Sequence, residues 1–242
     1  ITVWEMTQRL TLDQSWECPD LFPLPVNDDA AQIKWVFWSA DGYYFVGDFD
    51  GCAFIPRQER REAYRTALPY AAQTFSGLSG RVLSLSWLRT GNGGRPYTGM
   101  LSVPSALGLI ETRNGYRLTL QPAAELQSFF KAEEKRFLQG EEVLLSAPCL
   151  IHFTLPPKGM FFLGGVLSVY GESGEINSRP FLMDPDQNRD FTILLDYGVI
   201  EIWGNGGLVY AALETPADFP KKGISLRGKE IVISVRRVLK SR

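Results

Sequence analysis

The sequence predicts an all-β protein, and three observations carry that expectation. Short alternating or apolar runs recur along the chain, as in "KWVFWS" (34–39), "YYFVGDF" (43–49), "RVLSLSWL" (81–88) and "YRLTL" (116–120). Such runs read as strands, because side chains alternate between the two faces of a sheet. Turn signals punctuate them closely: Asp41-Gly42, Asp50-Gly51 and Asn114-Gly115, each a dipeptide that favours the left-handed backbone of tight hairpins. Only one stretch, "PAAELQSFFKAEEKRFL" (122–138), reads as helix, with a proline at its start and Leu126, Phe129, Phe130 and Phe137 at spacings that could share one face.

Beyond Gly140 the strand pattern resumes in "VLLSAPCLIHFTL" (143–155), "FFLGGVLSVY" (161–170), "FTILLDYGVIEIWGNGG" (191–207), "LVYAAL" (208–213) and "EIVISVRRVL" (230–239). The third of these divides into two strand-like halves around Tyr197-Gly198 and ends in a glycine-rich turn at 204–207. A β-rich unit is therefore expected on each side of the helical segment: residues 1–120, a linker at 121–140, and residues 141–242. Regular short strands favour a sandwich for the second unit.

Composition narrows the function classes. With 242 residues, 45% of them hydrophobic, the chain can bury a real core. A formal charge of −2 argues against a nucleic-acid partner, whose phosphates call for a basic surface. The one dense basic stretch, "RQERREAYR" (57–65), is interleaved with acids and reads as a solvated face. No apolar run approaches the ~20 residues of a membrane span, so no membrane partner is expected. The opening "ITVWEMTQRL" lacks the apolar stretch of a signal peptide.

Candidate chemistry is found by elimination. Cys18, Cys52 and Cys149 are too scattered for a disulfide framework or a metal site. The single histidine, His152, lies in the apolar run "CLIHFTL" and reads as structural, which leaves no base for a serine or cysteine nucleophile. "GNGG" at 91–94 reads as a loop, with no helix behind it to cradle a phosphate. Neither a metal nor a cofactor is expected. Carboxylates among aromatic rings remain: Glu17, Asp20, Asp41, Asp48 and Asp50 near Trp16, Trp35, Trp38, Tyr43 and Tyr44. Rings stack on the C–H faces of sugars and carboxylates bind hydroxyls or move protons, a generic indication of a carbohydrate site.

Ordered motifs sharpen this. "WECPDLFPLPV" (16–26) resembles the segment carrying the acid/base glutamate in glycoside hydrolase family 32, the invertases, levanases and inulinases. "YYFVGDFDG" (43–51), "YAAQTF" (70–75), "GRVLSLSW" (80–87) and the more altered "GMLSVPSALGL" (99–109) resemble later motifs of that family, in the same order. "FTILLDYGVIEIWGNGG" resembles the late strand pair of its carboxyl-terminal sandwich.

The resemblance implies a partial five-bladed β-propeller, a helical linker and a β-sandwich. It also implies retaining hydrolysis of β-fructosides (levan, inulin or sucrose type), with Glu17 as general acid/base. Trp16, Asp20, Tyr70 and Gln73 fall at positions that would bind or border the substrate. Asp20 reads equally as a residue that orients its own loop by bonding nearby backbone. Asp48 and Asp50 read as strand and turn residues, and Trp87 as core. An acid working near neutral pH needs shielding, and Trp16 and Cys18 are the residues at hand to supply it.

The family's nucleophilic aspartate, in an Asn-Asp-Pro-Asn-like motif, and its transition-state aspartate, in Arg-Asp-Pro, have no counterparts here. The sole Asp-Pro, Asp184-Pro185, follows a methionine in the second unit. The chain thus resembles the last blades plus the sandwich, and alone is expected to be inactive. Open blades leave apolar faces and sheet edges, so the missing amino-terminal propeller portion or a second copy is an expected partner. Two departures bear on fructose recognition. Leu68 and Pro69 stand where an acidic residue commonly precedes the tyrosine of the "YAAQ" run, and Ser105-Ala106 replaces the usual Arg-Glu pair. The competing reading is a non-catalytic carbohydrate-binding or structural module, with Trp203 as a possible sugar platform, although a strand aromatic is more often core.

Overall fold

The structure is a computed structural model that describes residues 3–13, 17–130, 135–137, 145–181, 183–184, 187–216, 219, 224–227 and 233–238. The described residues are nearly all β, as the alternation predicts. The first region holds β1 (Asp20–Val26), β2 (Asp29–Trp38), β3 (Tyr43–Phe49), β4 (Phe54–Pro56), β5 (Arg61–Glu62), β6 (Pro69–Thr74), β7 (Val82–Leu88), β8 (Met100–Leu101), β9 (Ser105–Thr112) and β10 (Gly115–Pro122). Two antiparallel arrays, β1 to β5 and β6 to β10, meet through a single parallel pair, Val26 with Leu109.

Strand β1 shows how local chemistry sets this arrangement. Phe22, Leu24 and Val26 alternate into the core. Pro23 and Pro25 share the opposite parity, so both ring nitrogens, which cannot donate, face the edge that β2 leaves free. Asn27 and Asp28 take positive φ angles of 52° and 61°, the backbone of the tight turn that returns the chain into β2. The predicted turns at Asp41-Gly42, Asp50-Gly51 and Asn114-Gly115 link β2 to β3, β3 to β4 and β9 to β10. In the second, Asp50 Oδ1 accepts the amides of Cys52 and Ala53 at 2.8 and 2.7 Å, so this aspartate is a turn residue.

The predicted helix is corrected. A single turn, α1 (Leu126–Phe129), follows β10, and Lys135–Phe137 forms β11, which pairs with residues 233–235. Of the four apolar positions expected on one helix face, Leu126 and Phe130 pack on the core, Phe129 is exposed and Phe137 lies in β11. A β-ladder satisfies the backbone of 135–137 where the sequence pattern had offered only intrahelical bonds.

The second region contains β12 (Cys149–Thr154), β13 (Met160–Leu163), β14 (Leu167–Tyr170), β15 (Glu175–Ile176), β16 (Arg179–Pro180), β17 (Asp190–Asp196), β18 (Val199–Gly204), β19 (Val209–Glu214), β20 (Ile224–Arg227) and β21 (Ile233–Arg237). They form a six-stranded sheet, β11-β21-β12-β17-β18-β19, and a five-stranded sheet, β16-β15-β14-β13-β20. One apolar cluster joins them, with Phe153, Phe161 and Phe191 stacked at ring-centroid distances of 4.1 and 5.4 Å.

The central strands of the six-stranded sheet, β12, β17, β18 and β19, bury residues on both faces. In β18, Ile200 and Ile202 point to the five-stranded sheet, whereas Trp203, with Leu150, Leu194 and Tyr210, joins the core of the first region. The two regions therefore share one continuous interior rather than meeting at a wet seam. Across it, Trp203 Nε1 donates to Ser105 Oγ at 3.3 Å and the Val103 amide to Glu201 Oε1 at 2.9 Å. Trp203 is 1% exposed, which removes it as a sugar platform. No described helix is long and apolar enough to cross a membrane.

Candidate active site

The sequence candidates converge where the start of β1 meets β6. Glu17 sits in the bend before β1, and its carbonyl accepts the Ala40 amide at 3.0 Å, which ties the bend to the β2–β3 turn. The next residue, Cys18, takes a positive φ of 45°. On β6 the register slips between Tyr70 and Gln73, and Ala71 carries a positive φ of 50°. The Ala71 amide bonds the Ala40 carbonyl at 2.8 Å, so the bulge and the Glu17 bend hang from the same residue. Bulges re-aim side chains, and this one directs Tyr70 toward Glu17.

The resulting contacts are direct. The Tyr70 hydroxyl donates to Glu17 Oε2. Gln73 Nε2 donates to the Cys18 carbonyl at 3.2 Å, and Asp20 Oδ2 accepts the Thr74 amide at 2.7 Å. Asp20 thus locks β1 against β6, the loop-orienting role open to a short carboxylate. Glu17, Cys18 and Gln73 are exposed, and Tyr70 is half-buried. Cys18 therefore gives Glu17 no shelter, and Trp16 lies outside the described residues. Asp48, by contrast, is engaged elsewhere: Lys34 Nζ at 2.7 Å and Arg57 Nε at 2.5 Å hold its carboxyl below the usual range.

Three further side chains border the pair: Arg89, which the sequence reading passed over, Asp41, one of its candidate carboxylates, and Trp87, which it assigned to the core. The Arg89 guanidinium stacks 4.1 Å from the Tyr70 ring centroid, and Asp41 Oδ1 lies 3.8 Å from its Nη2. Trp87 stands edge-on to Tyr70 at 6.3 Å. It is 46% exposed rather than core. The cause is an inverted strand: in β7 Ser84 and Ser86 face inward, and Ser86 hydrogen-bonds the buried Tyr64 and Tyr210. Large tyrosines from neighbouring segments fill the space, so the strand presents small serines to them and its tryptophan to solvent. The serine alternation in "LSLSWL" is the signal that the hydrophobic reading passed over.

The rest of the inventory is structural. His152 Nδ1 lies 3.0 Å from Thr192 Oγ1 across β12 and β17. The three cysteines are free thiols, with burial pushing Cys149 up to about 12. Among the described residues no group of three or more His, Cys, Asp or Glu side chains is placed to hold a metal.

Comparison with known proteins gives this geometry its context. The chain is 31% identical over 158 residues to a levanase of Bacillus subtilis (strain 168), covering 54% of this chain and 23% of that one. It is 29% identical over 133 residues to an extracellular exo-inulinase of Aspergillus niger, covering 44% and 25%. Among solved structures, an exo-inulinase from Aspergillus awamori superposes with a TM-score of 0.77 at 16% identity, over 96% of this chain and 59% of that one. A fructan 1-exohydrolase IIa from Cichorium intybus, solved in complex with 1-kestose, superposes with a TM-score of 0.66 at 16% identity, over 92% and 61%. The chain thus spans about a quarter of the curated relatives and about three-fifths of the solved structures it matches. Residues 1–122 match the family described as Glycosyl hydrolases family 32 N-terminal domain, and the chain belongs to that family.

Proposed function

We propose that this chain is the carboxyl-terminal part of a retaining β-fructoside hydrolase in which Glu17 is the general acid/base. The observation that carries the reading is the Tyr70–Glu17 bond, made between two motifs 53 residues apart in a chain of this family. The arrays β1–β5 and β6–β10 would be its last propeller blades, and the sheets of the second region its sandwich, with the division at residues 121–140. In a double displacement one carboxylate attacks the anomeric carbon while another, about 5–5.5 Å away, protonates the leaving oxygen. The Tyr70 hydroxyl occupies Glu17 Oε2, which leaves Oε1 to deliver that proton and, in the second step, to take one from water. Gln73 and Asp20 fix the backbone just after the acid, so the carboxylate is aimed by bonded neighbours. Trp16 and Tyr70 would border the fructosyl unit.

Both aspartate motifs of the mechanism are absent from the sequence, so the chain alone should not turn over. Denaturing intact mass, run beside fructose release from sucrose, inulin and levan, tests this. A single 27.2 kDa polypeptide should release no fructose. A preparation that also holds a polypeptide bearing the two aspartate motifs should release it, and Glu17→Gln should lower that rate about 100-fold or more on a substrate with a poor leaving group. Fructose released by the single chain, or full activity in Glu17→Gln, sinks the proposal.

A further inference from the structure

A small cavity of about 50 Å³ is lined by Tyr44, Glu62, Arg65, Arg117, Leu118 and Leu208. It lies where β3, β5 and β10 of the first region meet the turn before β19. Of its four polar side chains, Arg65, Arg117 and Tyr44 offer donors and Glu62 is the acceptor. The Nε atoms of Arg65 and Arg117 are buried with no hydrogen-bond partner, as is that of the adjacent Arg61. Arg61 and Arg65 each spend one terminal nitrogen on a backbone carbonyl, of Asn114 and of Glu62. The Tyr44 hydroxyl accepts the Leu118 amide at 3.1 Å, which leaves its own hydrogen to donate.

Charge is equally unbalanced. No carboxylate of the described residues lies within ion-pair distance of these three arginines. Glu62 is exposed at the rim and acts on Arg65 only at longer range. Burial depresses the Arg65 pKa, Glu62 and Tyr44 oppose that shift, and the like charge of Arg117 adds a smaller depression. The three arginines are half-buried, but their Nε donors are buried and unpartnered, which is costly, and folding alone gives no reason to gather three guanidinium groups around one phenol. The volume suits three or four water-sized atoms, the size of one tetrahedral oxyanion, whose oxygens are all acceptors and match guanidinium geometry.

We propose that this arginine-lined cavity binds one small tetrahedral oxyanion, inorganic phosphate or sulfate, which pins β3 and β10 of the first region beside the Leu208 turn of the second. The site is separate from the Glu17 cluster and does not depend on the hydrolase reading. It has no room for a sugar, so a sugar phosphate is not its ligand.

Equilibrium dialysis of the 242-residue chain against labelled phosphate and labelled sulfate, in a constant chloride background, tests the site directly. About one ion should be retained per chain, and Arg117→Gln should weaken retention at least tenfold. In thermal unfolding, a hundredfold excess of the tighter ion over its Kd should raise the wild-type midpoint by about 5–10 °C. The same ion should raise Arg117→Gln by no more than the general salt effect that both proteins show in sodium chloride of matched ionic strength. Retention of neither ion by the wild-type chain overturns the proposal, whether or not the variant folds. Equal midpoint shifts in the two proteins overturn it as well.

Discussion

The described residues include two glutamate–tyrosine pairs of the same chemistry in opposite surroundings. In one, the Tyr70 hydroxyl donates to Glu17, an exposed carboxylate at the rim of the first region. In the other, the Tyr210 hydroxyl donates to Glu201 Oε2 at 2.6 Å, and the carboxylate is 2% exposed between the two regions. Burial pushes the Glu201 carboxyl up to about 7, against the opposing donors of Tyr210 and Val103 and with a small addition from the negative charge of Asp196. A strongly shifted carboxylate is often taken as a mark of function. Here it is the wrong guide: Glu201 has both oxygens bonded, and Tyr210 and Trp203 close over it. The exposed pair keeps an oxygen free for a substrate, while the buried pair joins two sheets.

The comparison breaks most visibly at Glu201. Truncation in Glu201→Ala leaves the Val103 amide and the Tyr210 hydroxyl buried without an acceptor, and should cost about 3 kcal/mol in urea unfolding. Glu201→Gln should cost less than about 1.5 kcal/mol, since its carbonyl can accept from Val103 and its amide can donate to the Tyr210 oxygen.

The pH dependence has a definite sign. The folded carboxyl, at about 7 against an ordinary 4.5, binds its proton more tightly than the unfolded one. Its stabilising contribution is complete below the unfolded value and is lost as pH rises through the folded value. At 1.36 kcal/mol per pKa unit the loss amounts to about 3 kcal/mol by pH 8.5. The readout is the difference in unfolding free energy between the wild type and Glu201→Gln, from pH 5 to 8.5. The wild-type advantage of less than about 1.5 kcal/mol at pH 5 should reverse, leaving Glu201→Gln the more stable chain by about 2 kcal/mol or more at pH 8.5; a difference that stays constant with pH would show that Glu201 is not protonated in the folded chain.

Why the exposed pair was legible in sequence and the buried one was not follows from where each pattern is written. Strands and hairpins are local: alternation and dipeptides such as Asn114-Gly115 specify them within ten residues. Glu17 stood out because "WECPDLF" is a compact motif, and Tyr70 because "YAAQTF" is another. Their contact depends on a bulge at Ala71 that no local pattern announces. "VIEIW" reads as an ordinary strand, and nothing within it says that both faces will be covered. Glu201 is buried only because the first region, residues 20–122, packs against its strand. The same blindness placed Trp87 in the core, since the tyrosines that displace it, Tyr64 and Tyr210, are remote in sequence. It also turned 135–137 into helix, because its ladder partner lies about a hundred residues downstream.

Removing one hydroxyl from each tyrosine sharpens the comparison with the smallest possible change. Tyr210→Phe strips Glu201 Oε2 of its donor in a water-free setting and should destabilise the chain by about 1–2 kcal/mol. It should also lift the Glu201 carboxyl further, because a donor that lowers it is gone. Tyr70→Phe removes the corresponding bond where water can replace it at once, and should change stability by no more than about 0.5 kcal/mol. The ring remains under Arg89 and beside Trp87, so the surrounding stack survives. Urea unfolding of the two variants side by side gives the ratio of these effects. If Tyr70→Phe costs as much as Tyr210→Phe, the Glu17 pair is holding the fold together, and a carboxylate so committed is a poor candidate for passing protons to a sugar.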